Sequence, residues 1–114
     1  MNTTTFEMGL KTWELILETG KEMSLEKTSE ILLKNPNARI NRIDNPPIIF
    51  DRKFYIAQKR IQDTLTQQHP EYSDLINSVP PITGYAWKIV DYIDLYFSHF
   101  NLVVQKLKES VQEH

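Results

Sequence analysis

Three histidines, His69, His99 and His114, are the natural acid–base and metal-ligand candidates in this sequence. A di-iron helical bundle places Glu three residues before His so that both side chains enter one interior. The residues at those positions are Thr66, Tyr96 and Val111, so the motif is absent each time. No two histidines stand at the i, i+4 spacing of a helical zinc protease site. His99 lies beside an aromatic row and reads as a half-buried side chain bonded to a neighbour. His114 reads as part of a frayed end. Asp91 and Asp94, three residues apart, are the one acidic pair that could share a metal or act as acid and base. Both fall at polar positions of a helical repeat, which reads as a solvated face.

Other chemistries are excluded by residue type. The chain has no cysteine, which removes disulfides, thiolate zinc sites, iron–sulfur clusters and a Cys nucleophile. Its three glycines, Gly9, Gly20 and Gly84, are far apart, and a phosphate-cradling loop needs them clustered. No serine sits in a G-x-S-x-G elbow. The expectation is therefore no catalytic residue, no metal and no cofactor. A small-molecule carrier or enzyme would need a buried pocket near His99 and Tyr96. The aromatic row Trp87, Tyr92, Tyr96, Phe97 and Phe100 otherwise reads as core, with Tyr85 and Trp87 placed for a wet rim.

The elements that must position these residues read as helices throughout. Phe6, Leu10, Trp13, Ile16, Leu17 and Met23 recur at three- and four-residue spacings, predicting a helix from Thr5, as its cap, to Met23. Gly20 on the same face marks a weak point, a close helix approach or the helix end. Ser24 reads as the cap of a second helix, Leu25 to Leu33, closed by Asn35-Pro36-Asn37. Ala38 to Ile43 suits a short helix or 3₁₀ turn. Asp51 caps a helix to about Gln68, with Phe54, Ala57, Ile61 and Leu65 inward. Pro70 opens a short helix to Asn77. The last helix, about Tyr85 to Gln112, has the strongest pattern. Ile89, Ile93, Tyr96, Phe100, Val103 and Leu107 alternate spacings of four and three, and Val90, Phe97, Val104 and Val111 repeat every seven. No segment alternates as a half-buried strand does. The fold class is all-α: a small helical bundle of three long helices plus two or three short helices.

A chain of 114 residues, 40% apolar and 25% charged, has the balance of a single globular domain. No apolar run is long enough to span a membrane and no secretory signal is visible, which points to the cytoplasm. Thirteen basic against 15 acidic residues give a net charge of −2, an argument against a dedicated nucleic-acid binder. Charge is not evenly spread, however. Residues 1–33 carry net −3, residues 34–60 net +5 and residues 61–114 net −4, and all four arginines lie in the middle block.

Arginine suits bidentate contacts to carboxylate or phosphate. The sequence therefore suggests a small helical interaction protein, a regulator or adaptor. Arg39, Arg42, Arg52, Lys53, Lys59 and Arg60 would meet an acidic protein partner. The plainer alternative is that they pair with the acidic faces of the chain's own first and last helices. Leu95, Leu102, Met8 and Leu15 lie off the main apolar stripes and are candidates for homodimer contacts. The competing functional reading is a nucleic-acid-binding regulator. Residues 24–43 have the outline of a helix-turn-helix, with Arg39 and Arg42 on a short recognition helix. Against it stand the brevity of that helix and the proline in its turn.

Overall fold

A computed structural model of the protein describes residues 3–34, 50–80 and 89–112. The fold is all-α, with no strand among the described residues. Helix α1 spans Thr3–Lys34, α2 Arg52–Gln68, α3 Ser73–Ile76 and α4 Ile89–Gln112, with a 3₁₀ turn at Pro70–Tyr72 before α3. The three long helices are those expected, with one correction. The predicted break between Gly20 and Ser24 does not occur, and the two expected N-terminal helices are one helix of 32 residues. Thr5 lies inside it and caps nothing. Ser24 is fully buried in mid-helix. No proline precedes Pro36, so nothing interrupts the hydrogen-bond ladder, and the inward stripe simply changes character. Phe6, Leu10, Trp13 and Leu17 give way to Gly20, Ser24 and Thr28 at the same three- and four-residue spacing.

At 1.5 Å per residue α1 is about 48 Å long, and the molecule measures 52 × 27 × 18 Å. Helix α1 is therefore a spine along which α2 and α4 lie. Both run antiparallel to it. Gly9 faces Leu65 and Gly20 faces Phe54 on α2. On the other side Glu14 pairs with Lys108, and Lys21 pairs with Asp94 at 3.2 Å on α4.

Helix α2 begins where its cap dictates. Asp51 Oδ1 accepts from the backbone N–H of Lys53 at 2.8 Å and of Phe54 at 3.4 Å, meeting two of the helix's orphan donors. Its inward face carries Phe54 and Leu65 fully buried and Ala57 and Ile61 half-buried. On α4 the row Tyr92, Ile93, Tyr96, Phe97, Phe100, Val103, Val104, Leu107 and Val111 is buried, as the heptad pattern predicts. Pro70 opens the short helical segment as expected, in 3₁₀ form. There Tyr72 and His69 cover one end of the core, with ring centroids 5.9 and 4.2 Å from Phe6. The expected segment Ala38 to Ile43 and the residues Tyr85 and Trp87 lie outside the described residues.

The two α1 glycines test the packing of the α1–α2 seam. They stand eleven residues apart, as Leu65 and Phe54 do, so each marks a point of close approach three turns from the other. A Cβ on Gly20 would lie 2.0 Å from Phe54 Cδ1, whereas one on Gly9 would meet the free end of Leu65 at 2.8 Å. Phe54 is packed against Phe50, Phe97 and Tyr96, so its ring yields less freely than the end of a leucine. Alanine improves helix propensity by about 1 kcal/mol at either position. Overpacking costs about 1–3 kcal/mol. Gly9→Ala is expected to leave stability near that of the parent and Gly20→Ala to lower it by about 1–2 kcal/mol in urea denaturation. Equal effects of the two would contradict the asymmetry.

Candidate functional site

The middle of the bundle holds a polar group that the apolar pattern does not announce. Gln58, on the inward face of α2, is only 2% exposed. Its Oε1 accepts from Trp13 Nε1 on α1 at 3.2 Å, and its Nε2 donates to the Tyr96 hydroxyl on α4 at 2.7 Å. One side chain thus joins all three long helices. An amide buried without partners costs about 1–3 kcal/mol, so this arrangement is favourable only while both neighbours stay in place. Burial, aided by the nearby Tyr55 and Tyr92 hydroxyls, raises the Tyr96 phenol well above its ordinary range. Tyr96 therefore keeps its proton. Its oxygen accepts from Gln58, and its own O–H remains a donor.

Beside this relay a cleft of about 470 Å³ opens between α2, α4 and the segment Asn77–Pro80. Phe50, Gln58, Tyr96 and Phe100 form its buried floor, and Tyr55, Lys59 and Val79 its exposed rim. Here the aromatic row of α4 does two things at once: it packs the core and shows part of that core to solvent. Most polar side chains around the cleft are already bonded. Gln62 Nε2 donates to Ile76 O at 2.8 Å, Asn77 Nδ2 to Ser73 O at 2.9 Å and Thr66 Oγ1 at 3.1 Å, and Ser78 Oγ to Leu75 O at 2.9 Å.

His99 lies just behind Ser78, half-buried and bonded to it, as expected. Ser78 Oγ and His99 Nε2 are 3.1 Å apart. Ser78 has a single hydroxyl hydrogen and gives it to Leu75, so His99 is the donor and its neutral form carries the proton on Nε2. Burial lowers the His99 pKa below its ordinary value, Lys106 adds to this and the Ser78 backbone opposes it. His69 instead contacts Glu71 at 3.2 Å at the far end of the bundle. The described residues contain no group of three or more His, Asp or Glu side chains able to hold a metal. Asp91 and Asp94 are both exposed, and Asp94 is engaged by Lys21.

The basic block is divided by the structure. Arg39 and Arg42 lie outside the described residues, as do the turn and recognition helix of the helix-turn-helix outline. The first helix of that outline is the last third of α1. Arg52, Lys53, Lys59 and Arg60 are all exposed on α2. At 100° per residue they fall within an arc of about 120° on the side opposite Phe54, Gln58 and Leu65. Ile56, 42% exposed, sits among them. Two of the acidic residues of α1 and α4 engage lysines on the facing helix: Glu14 with Lys108 and Asp94 with Lys21. Within α2, Lys59 meets Asp63 at 3.5 Å, an exposed i, i+4 pair of little energetic weight.

The four candidate contact residues differ in exposure. Met8 and Leu15 are each 64% exposed and Leu102 is 54% exposed, while Leu95 is half-buried. Leu15 also borders a shallow groove of about 290 Å³ between α1 and α2, with Ile16, Met23 and Ala57. No helix among the described residues is long and apolar enough to cross a membrane.

A lowered His99 pKa has a consequence for stability. Above pH 6.5 the imidazole is neutral folded or unfolded and contributes no pH dependence. As pH falls from 6.5 through the lower folded value, the unfolded chain binds the proton first and stability declines. The expected result is a His99 imidazole titrating below 6.5 by NMR, and a shallower loss of stability from pH 7.5 to 5 in His99→Asn. A His99 value at or above 6.5 would contradict the burial account.

The chain matches no protein-family model, no curated protein and no solved structure. What it does is therefore a question for the basic face of α2 and the cleft beside it.

Proposed function

We propose that the protein is a helical interaction factor that binds an acidic protein segment through the outward face of α2. The observation that carries this reading is the arrangement of Arg52, Lys53, Lys59 and Arg60 around the exposed Ile56. A solvated helix face ordinarily mixes both signs of charge. This one carries four cations against the single carboxylate of Asp63, with an apolar residue at its centre, and it lies opposite the side that α2 buries. Arginine's planar fork suits carboxylates, and exposed cations steer association more than they add affinity. Arg39 and Arg42 belong to the same basic stretch of sequence and are proposed to meet the same acidic partner. Self-association through Met8 and Leu15, and through Leu95 and Leu102, is the second part of the proposal. The groove at Leu15 supports the first pair, and the half-burial of Leu95 weakens the second.

Titration with poly-L-glutamate at low ionic strength, against a DNA duplex of equal charge, tests the basic face. The expected result is binding to polyglutamate that weakens with salt and is lost in the double variant Arg52→Glu/Arg60→Glu. Preferential binding to DNA would favour the helix-turn-helix alternative, and no binding to polyglutamate would remove the proposal. Sedimentation of the same protein up to millimolar concentration, if it shows only monomer, removes the self-association part.

A further inference from the structure

We propose that the cleft between α2, α4 and the segment Asn77–Pro80 is a binding site for a small aromatic carboxylate. This goes beyond the basic-face reading and does not depend on it. A volume of about 470 Å³ falls in the range of small-molecule sites. Phe50, Tyr96 and Phe100 supply a floor of aromatic surface against which a flat ring can stack.

The polar groups select the ligand's charge. Asn77 and Ser78 already donate all their side-chain hydrogens to Ser73, Thr66 and Leu75, and Gln62 donates one to Ile76. Gln58 donates to Tyr96 and accepts from Trp13. The donors left to a ligand include the hydroxyls of Tyr55, Tyr92 and Tyr96 and the Lys59 ammonium, and Lys59 is the cation among the described lining residues. No carboxylate is among the described lining residues. Among the described residues Lys59 is held by its exposed contact with Asp63 and can turn to a ligand at small cost. A site that offers donors, one cation and apolar walls accepts an aromatic body bearing a negative group. A neutral aromatic would leave the cation unused, and a cation would be repelled.

Calorimetric titration of the full chain with 2-naphthoate and its uncharged analogue 2-naphthamide tests the assignment. A ligand of about 13 non-hydrogen atoms at roughly 0.3 kcal/mol each gives a dissociation constant of about 1 mM. The expected result is saturable 1:1 binding of 2-naphthoate near that value, with the amide about fivefold weaker. Lys59→Gln should remove the difference between the two. Val79→Trp, at an exposed rim position that leaves the core intact, should block both. Absence of saturable binding at 5 mM, or binding that neither substitution changes, would overturn the proposal. So would a glutamate-rich peptide containing one phenylalanine that fills the cleft where 2-naphthoate does not, since the site would then belong to a protein partner.

Discussion

A single buried amide fixes how the three long helices meet. Gln58 stands where the helical pattern of α2 calls for an apolar residue, and it is almost completely removed from water. Apolar contacts are non-directional and tolerate a sliding helix. A hydrogen bond is not so tolerant, and leaving Gln58 unpaired costs about 1–3 kcal/mol for each lost partner. Trp13 on one side and Tyr96 on the other must therefore arrive at the same level of the bundle. That requirement sets the register of α1 and α4 against α2 at one point, and the aromatic packing around it follows: Tyr96 lies between Phe50, Phe54 and Phe100, and Trp13 reaches Phe100.

The same register shapes both candidate surfaces. With Gln58 pointing inward, its neighbour Lys59 is placed at the rim of the cleft, and Arg52, Lys53 and Arg60 face away from the core. The glycines of α1 let α2 come close along the seam, at Gly9 and Gly20, so that the basic face is carried on a firmly seated helix. Near Asn77–Pro80 the described residues leave a space between α2 and α4. The cleft is the result. Its floor is core and its rim is surface, which is why residues that pack the bundle can also meet a ligand.

Much of the fold was legible in the sequence, because periodicity reports burial directly. The inward rows of α2 and α4, the Asp51 cap and the helical opening at Pro70 follow from spacing and from capping chemistry. The continuity of α1 was not legible. Gly20, Ser24 and Thr28 resemble a helix end when considered alone, since glycine and serine favour termini. Their burial against neighbouring elements makes them an inward stripe instead. Ser24 and Thr28 even lack hydrogen-bond partners for their hydroxyls, where Thr12, Ser29, Thr66 and Ser110 each bond the carbonyl four residues back. Nor was Gln58 legible, because a glutamine in an amphipathic helix is ordinarily solvated, and only the facing Trp13 and Tyr96 explain it. The basic face was visible as a charge block, but its location on one side of α2 depends on which side the helix buries. The cleft was anticipated only as a condition, a pocket near Tyr96, and most of its walls come from residues that carry no motif.

Gln58 acts as a joint between the helices and not merely as a filler, and a double-mutant cycle measures this. Gln58→Leu, Tyr96→Phe and the double variant are compared with the parent by urea denaturation. If the hydrogen bond sets the register, Gln58→Leu costs about 2–4 kcal/mol, and the double variant is more stable than additivity predicts by about 1 kcal/mol or more. Strict additivity, or a Gln58→Leu protein as stable as the parent, would show that the helices find their places without it.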